Sequence, residues 1–324
     1  MTYERKATTM RAAVVDRYGA PDVVRVADVP APVPRADEVL VRVRASAVTS
    51  GDARIRAARF PKGFAPFVRL AFGPFRPRRK VLGSAFSGVV VAAGARVTGL
   101  APGEEVCGMT GMRLGAHAEL IAVSAERVVR KPVEVTHEDA AGVLFGGTAA
   151  LHFLRDKAAV SRGQSVLVNG ASGAIGTNAV QLAKHFGATV TAVTSTVNVD
   201  LVTGLGADRV IDYTSTDLTG VTDRFDVVLD TVGNLSPASG RRLLNDRGVL
   251  LLAVATLWET LRARGNVKAG AAPERAEDFE LLLQLVAKGE VRVVIDQVYD
   301  LDQIVAAHQH VDSGRKVGNV IVRP

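Results

Sequence analysis

Two different patterns of hydrophobic positions follow one another along the chain. Up to about residue 130, short Val-rich runs are separated by turn residues, as at positions 10–15, 38–45 and 87–92. β-branched runs bounded by Gly and Pro are typical of strands. We therefore expect the first part of the chain to be entirely or mostly β-structure.

Beyond about residue 131, apolar runs of strand length alternate with segments of helical spacing. The predicted strands span 165–169, 189–194, 209–211, 226–230, 249–254, 291–295 and 317–322, and the predicted helices span 138–154, 177–186, 199–205, 236–244 and 273–288. This alternation predicts an α/β domain with a parallel sheet covered by helices on both faces.

A glycine-rich turn lies between the strand at 165–169 and the following helix. Gly170 permits a tight turn, Gly173 lets backbone N–H groups approach a diphosphate at the helix N-terminus, and Gly176 lets helix and strand pack closely. The spacing departs from G-x-G-x-x-G because two residues, Ala171 and Ser172, separate the first two glycines. The strand, turn and helix context predicts a dinucleotide site.

The end of the next strand bears on which dinucleotide binds. NAD-binding proteins usually place Asp or Glu there to bind the ribose hydroxyls. Positions 194–198 hold no acidic residue, so a 2′-phosphate meets no repulsion from them, while Ser195, Thr196 and Asn198 offer donors. This favours NADPH over NADH, although the same positions carry no Lys or Arg to clamp the phosphate.

Charge is concentrated in one segment of a chain with 324 residues and net charge +7. Residues 53–83 contain nine Lys or Arg, no Asp or Glu, and five interleaved Phe (Phe60, Phe64, Phe67, Phe72 and Phe75). The segment is typical of a solvated surface loop. Its aromatic residues fit either a nucleic-acid stacking surface or the lining of a substrate lid, and we favour the lid.

Cysteine content limits the possible chemistry. The single Cys107 excludes an intramolecular disulfide, and one Cys with six scattered His does not supply the usual structural zinc pattern. We expect Cys107 to be a small buried hydrophobe. Length predicts about two domains. No apolar run is long enough to cross a bilayer, and residues 1–10 lack a signal core, so we predict a cytoplasmic protein.

An ordered set of motifs resembles the medium-chain dehydrogenase/reductase superfamily, and most closely its zinc-free quinone oxidoreductase branch. These motifs are 146–152 (GGTAALH), the glycine turn, and 206–213 (GADRVIDY). The resemblance implies a GroES-like β-rich catalytic domain from residues 1–130 and 295–324. It implies a Rossmann-type NADP(H)-binding domain, with a doubly wound parallel sheet, from residues 131–294. It also suggests a homodimer.

The resemblance further assigns residues to the cofactor. It implies that the turn surrounds the diphosphate, that the 194–198 segment and Tyr213 surround the adenosine ribose, and that the remaining positions flank the nicotinamide. The implied cofactor-binding set is Thr148, Gly170, Ala171, Ser172, Gly173, Ala174, Ile175, Thr194, Ser195, Thr196, Asn198, Tyr213, Thr231, Val232, Gly233, Gly318 and Asn319.

The chain departs from zinc-dependent relatives where they carry a Gly-His-Glu motif, since it has Gly83, Ser84 and Ala85. We therefore expect no metal. Without a Lewis acid, hydride transfer from NADPH to a quinone or α,β-unsaturated carbonyl is the favoured reaction, because conjugation spreads the developing charge. Thr49 and Asp52 are the candidate catalytic residues, and His117 is a weaker candidate proton donor. Asp52 is also expected to cap the following turn or to pair with an Arg.

Two other functions stay open at this point. One is a metal-independent NADP-dependent alcohol or aldehyde dehydrogenase. The other is a nucleotide-binding structural or RNA-binding protein that uses the basic segment. We expect a small-molecule substrate and neither a nucleic-acid nor a membrane partner.

Overall fold

A computed structural model describes residues 9–324 of the chain, so residues 1–8, on which the localisation prediction partly rests, lie outside it. The strands are β1 Thr9–Val15, β2 Val24–Pro30, β3 Glu38–Val48, β4 Ala85–Ala93, β5 Glu105–Met109, β6 Leu120–Ser124, β7 Val128–Arg130, β8 Ser165–Asn169, β9 Thr189–Thr194, β10 Arg209–Asp212, β11 Phe225–Asp230, β12 Leu244–Leu252, β13 Val267–Ala269, β14 Ile295–Asp300 and β15 Asn319–Arg323. The α-helices are α1 Ser50–Ala57, α2 Ala65–Phe72, α3 His137–Leu151, α4 Ala174–His185, α5 Val199–Gly204, α6 Pro237–Arg241, α7 Leu257–Arg262, α8 Ala276–Ala287 and α9 Ile304–Asp312.

A seven-stranded sheet combines the two ends of the chain. Its order is β14-β15-β3-β4-β5-β7, with β6 paired to β3, and β1 and β2 form a separate hairpin. The C-terminal β15 runs antiparallel to β3, with Val320 opposite Val48. Strands from beyond residue 294 therefore complete the N-terminal sheet.

The middle of the chain forms a six-stranded, wholly parallel sheet in the order β10-β9-β8-β11-β12-β13. Counted from β8, this is the order 3-2-1-4-5-6 of doubly wound dinucleotide-binding folds. Its strands are apolar because both faces are buried: Val166, Leu167 and Val168 have no exposed surface. The α/β prediction with a doubly wound parallel sheet is confirmed.

Residues 9–130 are mostly β-structure as predicted, and the basic segment is the helical exception. It contains α1 and α2, and it is not uniformly solvated. Arg56 has no exposed surface, and its Nη2 lies 2.5 Å from Asp312 Oδ2 on α9. In contrast, Phe75 is 92% exposed. The segment is thus a folded part of the first domain, with one buried cation and several exposed apolar side chains.

Two predicted elements in the second half of the chain differ markedly from their predicted bounds. The helix predicted at 236–244 ends at Arg241, and β12 already begins at Leu244. The strand predicted at 291–295 is wrong for its first four residues. Val291 is buried, but it packs into the core from a loop, and the strand is Ile295–Asp300. Residues 291–294 form a mostly apolar run because the run packs against the core, but it does not pair with a neighbouring strand. For this reason its sequence resembles that of a strand.

Candidate active site

A cleft of about 1050 Å³ opens at the carboxyl ends of β8 and β11, where the strand order of the parallel sheet reverses. Ligands of open α/β folds bind at such a switch point. A buried network joins the two strand ends here. Asn169 Nδ2 donates to Asp230 Oδ1 at 2.9 Å, and Asp230 accepts the backbone N–H groups of Val232, Gly233 and Leu235. The loop after β11 is therefore held in place beside the loop after β8.

The glycine turn has the geometry of an anion cradle. Gly170 adopts φ +82°, and a Cβ on Gly176 would lie 2.1 Å from Gly170 O, so a side chain fits at neither position. Gly173 is the N-cap of α4, and a Cβ there would meet only Gly170 O, at 3.6 Å. The first amides of α4 lack intrahelical acceptors and carry the positive end of the helix dipole. This turn fits a diphosphate, so the residues fit a dinucleotide cofactor.

The C-terminal loop of the other sheet touches this cradle directly. Gly318 N donates to Ser172 O at 2.8 Å, and Gly173 and Gly318 form an isolated parallel bridge. Lys316, which lines the cleft, donates from Nζ to Gly318 O at 2.6 Å. Burial lowers the pKa of Lys316 to about 8, and nearby Asp296 opposes this shift. A cation thus lies beside the phosphate cradle.

Hydroxyl groups line the opposite end of the cleft, beyond β9 and β10. Thr194, Tyr213 and residues 214–216 form this surface, and Tyr213 is 58% exposed. Thr196 lies beside the cleft lining, and its Oγ1 donates to Asp212 Oδ2 at 2.6 Å. The expectation of no carboxylate near a 2′-phosphate therefore needs correction, because β10 brings Asp212 next to the end of β9. Ser195 and Asn198 bond to each other, Asn198 Nδ2 donating to Ser195 Oγ.

Thr49 and Asp52 form a capping box at the start of α1, which lies at the end of the cleft nearest β15. Thr49 Oγ1 donates to Asp52 Oδ2 at 2.6 Å and accepts the N–H of Asp52. Asp52 Oδ1 accepts the Gly83 N–H at 2.9 Å. Thr49 lines the cleft, whereas Asp52 is buried outside its lining. Asp52 thus has the capping contacts expected for it, and its assignment as a catalytic residue stays a prediction.

Several predicted cofactor contacts lie beneath or beside the cleft surface. The Thr148 hydroxyl donates to Leu144 O within its own helix, and the Ala171 N–H donates to Val193 O. The hydrogen-bond donors of both groups therefore have acceptors within the protein. The predicted residues that line the cleft are Thr49, Gly170, Ser172, Gly173, Ala174, Ile175, Thr194, Tyr213, Thr231, Val232 and Asn319, and those that do not are Asp52, Thr148, Ala171, Ser195, Thr196, Asn198, Gly233 and Gly318.

His117 is fully buried, and its Nε2 lies 3.1 Å from Ala47 O, outside the cleft lining. It is therefore not placed for proton delivery. Cleft residues outside the predicted site set include Ser50, Arg54 and Lys316. Arg54 belongs to the charge pattern of the basic segment, but only the position of α1 directs it into the cleft.

The described part of the chain has no group of three or more His, Cys, Asp or Glu arranged to hold a metal ion. Cys107 is buried as expected, and burial raises the pKa of its thiol to about 12. From residue 9 onward, the structure has no helix with the length and apolarity to span a membrane.

Comparisons with known proteins agree with this architecture. Residues 35–133 match the alcohol dehydrogenase GroES-like domain, and residues 205–322 match the family described as zinc-binding dehydrogenase. The chain is 32% identical over 328 residues to 2-methylene-furan-3-one reductase of Solanum lycopersicum, covering 97% of this chain and 79% of that protein. It is 29% identical over 329 residues to the chloroplastic NADPH-dependent alkenal/one oxidoreductase of Arabidopsis thaliana, covering 97% and 80%.

A solved structure extends the similarity to three dimensions. The quinone oxidoreductase from Coxiella burnetii superposes with a TM-score of 0.88 at 25% identity, covering 98% of this chain and all of that one. The GroES-like fold of the first domain is therefore confirmed. On its fold, its switch-point cleft and these similarities, the chain belongs to the medium-chain dehydrogenase/reductase superfamily, as an oxidoreductase related to quinone and enone reductases.

Proposed function

We propose that the protein is a zinc-independent, NADPH-dependent reductase that transfers hydride to a quinone or to the C=C bond of an α,β-unsaturated carbonyl compound. The observation that carries the proposal is the phosphate cradle at the switch point, closed from the other domain by the Gly318 to Ser172 hydrogen bond. The names of the enone-reducing relatives support the choice of substrate class.

Gly170, residues 172–175 and Lys316 would hold the diphosphate, and Tyr213 with residues 214–216 would surround the adenosine ribose. When bound, the nicotinamide would supply a hydride, which carries both electrons of the reduction, and the reduced substrate would take up one proton from solvent. The chain itself positions the two reactants against each other and excludes water from the end of the cleft lined by Thr49 and Phe145.

The groups at that end favour a conjugated substrate. The Thr49 proton is already donated to Asp52, so Thr49 has no proton left to donate to a substrate oxygen. Ser50 is exposed at the first position of α1, where its hydroxyl and the first amides of the helix can donate to a substrate oxygen. Hydrogen-bond donors are sufficient where conjugation carries negative charge onto that oxygen.

The test is a comparison of NADPH oxidation with a simple enone, a benzoquinone and butanal, each with and without a zinc chelator. We expect turnover of the enone or the quinone, little turnover of butanal, and no effect of the chelator. Turnover of butanal alone, or activity lost to the chelator and restored by zinc, would contradict the proposal.

A further inference from the structure

Arg54 projects into the cleft from the second turn of α1. Ser50 and Gly51 also line the cleft, and Arg54 follows them by four and three residues, which places all three on one face of the helix. The opposite face carries Ala53 and Arg56, which are both buried against the protein. The helix register therefore turns Arg54 toward the substrate end of the cleft and Arg56 away from it.

The Arg54 guanidinium has no partner among residues 9–324, where it forms neither an ion pair nor a hydrogen bond. In contrast, Arg56 on the same helix is paired with Asp312. Arg54 is half-buried, and this burial lowers its pKa from the usual value. A partly desolvated cation without a counter-ion is unfavourable, and an anionic ligand would relieve that cost.

The acidic residue on the same helix does not supply this counter-ion. Asp52, one turn before Arg54, has its carboxylate bound by Thr49 and by the Gly83 N–H. The cofactor diphosphate is also accounted for, because the helix N-terminus at Gly173 and Lys316 both lie at the cradle. Arg54 belongs to the other domain and follows Thr49 and Ser50, the residues that we place at the substrate.

We propose that Arg54 binds a carboxylate of the substrate, so that the preferred substrates are acidic enones in which the conjugated C=C bond and a carboxylate belong to the same molecule. A guanidinium presents two parallel N–H donors that match the two carboxylate oxygens. This inference rests on the proposed reductase function and specifies its substrate class. The carboxylate takes no part in the reduction and serves to anchor the substrate.

The test compares two substrates that share one enone insulated from the carboxyl group by two CH₂ groups, 6-oxohept-4-enoate and its methyl ester, with NADPH as reductant. We expect the wild-type protein to show a kcat/KM for the acid roughly tenfold or more above that for the ester. In Arg54→Met this ratio falls to about one, mainly through a higher KM for the acid. Arg54→Lys should have a ratio between those of the wild type and Arg54→Met. Lysine keeps the positive charge but lacks the two parallel N–H donors of a guanidinium.

The matched control is Arg59→Met, which removes the same charge from a side chain that is 70% exposed and lies outside the cleft lining. Its acid-to-ester ratio should equal that of the wild-type protein. NADPH affinity, measured by fluorescence, should be the same in Arg54→Met as in the wild type.

Three results would overturn the inference: a wild-type ratio of one or less, an equal loss on both substrates in Arg54→Met, or a loss of NADPH binding in that variant, which would assign Arg54 to the cofactor. A different result, in which the wild-type protein reduces neither acid nor ester, would instead contradict the proposed reductase function.

Discussion

Asp212 brings a negative charge to the hydroxyl-lined end of the cleft. Hydrogen bonds from Thr196 and Thr214 hold the pKa of its carboxyl below the usual value, so it is ionised at neutral pH. We expect Asp212→Asn to strengthen NADPH binding roughly threefold to tenfold at low salt and to leave NADH binding nearly unchanged, because only NADPH carries the 2′-phosphate. Fluorescence titrations with both cofactors measure this. Equal changes for both would place Asp212 away from the 2′-phosphate.

Lys316 should make cofactor binding depend on pH. Burial lowers the pKa of Lys316 to about 8, so its charge is present below that pH and is lost as the pH rises through it. If Lys316 attracts the diphosphate, the Kd for NADPH rises several-fold between pH 7 and pH 9. Lys316→Met should bind more weakly at pH 7 and show a flatter pH profile. Parallel profiles for the two proteins would show that Lys316 does not contact the cofactor.

Single residues also show what the sequence could not predict. The conformation of the glycine turn is predictable from sequence because it depends only on residues close together in the chain. These residues set the positive φ at Gly170 and the close approach of Gly176 to Gly170. Asp212 lies beside Thr196, which precedes it by sixteen residues, because β10 pairs with β9. Hydrogen-bond partners of that kind are not encoded in a local pattern.

At the scale of elements, α1 and α9 are joined by a buried ion pair. Asp312→Asn leaves Arg56 charged, fully buried and without its partner, and we expect a loss of stability of about 3 kcal/mol. The double variant Arg56→Met/Asp312→Asn removes both charges and should be more stable than Asp312→Asn alone. Thermal unfolding of the wild type and the variants measures this coupling. A double variant that is less stable than Asp312→Asn would contradict it.

Helix α1 was missed for a physical reason. Its eight residues include one Gly and two Arg, so hydrophobic spacing gave no helical signal. The start of α1 did carry a sequence signal, because Thr49 and Asp52 have the spacing of a capping box. The strand predicted at 249–254 was displaced because β12 also includes the polar residues 245–247. Periodicity thus predicted the apolar centres of elements better than their polar ends.

At the scale of the whole molecule, alternating patterns were enough to predict a parallel sheet, and the sheet has the expected doubly wound order. The contact between Gly318 and Ser172 could not be predicted from such patterns, because it joins residues almost 150 positions apart in two different sheets. The boundaries proposed at residues 130/131 and 294/295 stay a prediction.

The family resemblance also leads us to propose a homodimer. The short edge strand β13 has β12 as its only partner in the parallel sheet of the described chain, which leaves one side open to a second copy. Light scattering on the purified chain should give twice the monomer mass of 34.1 kDa. A mass of one chain at micromolar concentration would contradict this proposal.

The central claim is that the turn at 170–176 binds the diphosphate of NADPH. Gly173→Asp tests it most directly, since the aspartate side chain would project into the cradle and repel phosphate, while Asp at an N-cap stabilises a helix. Gly204→Asp is a matched control, because a Cβ there meets nothing within 4 Å.

The measurement is an NADPH titration, followed by fluorescence, of the wild type and both variants. We predict that Gly173→Asp retains the melting temperature of the wild type but loses NADPH affinity by roughly a hundredfold or more, and that Gly204→Asp binds as the wild type does. Unchanged NADPH affinity in a folded Gly173→Asp protein would contradict the account.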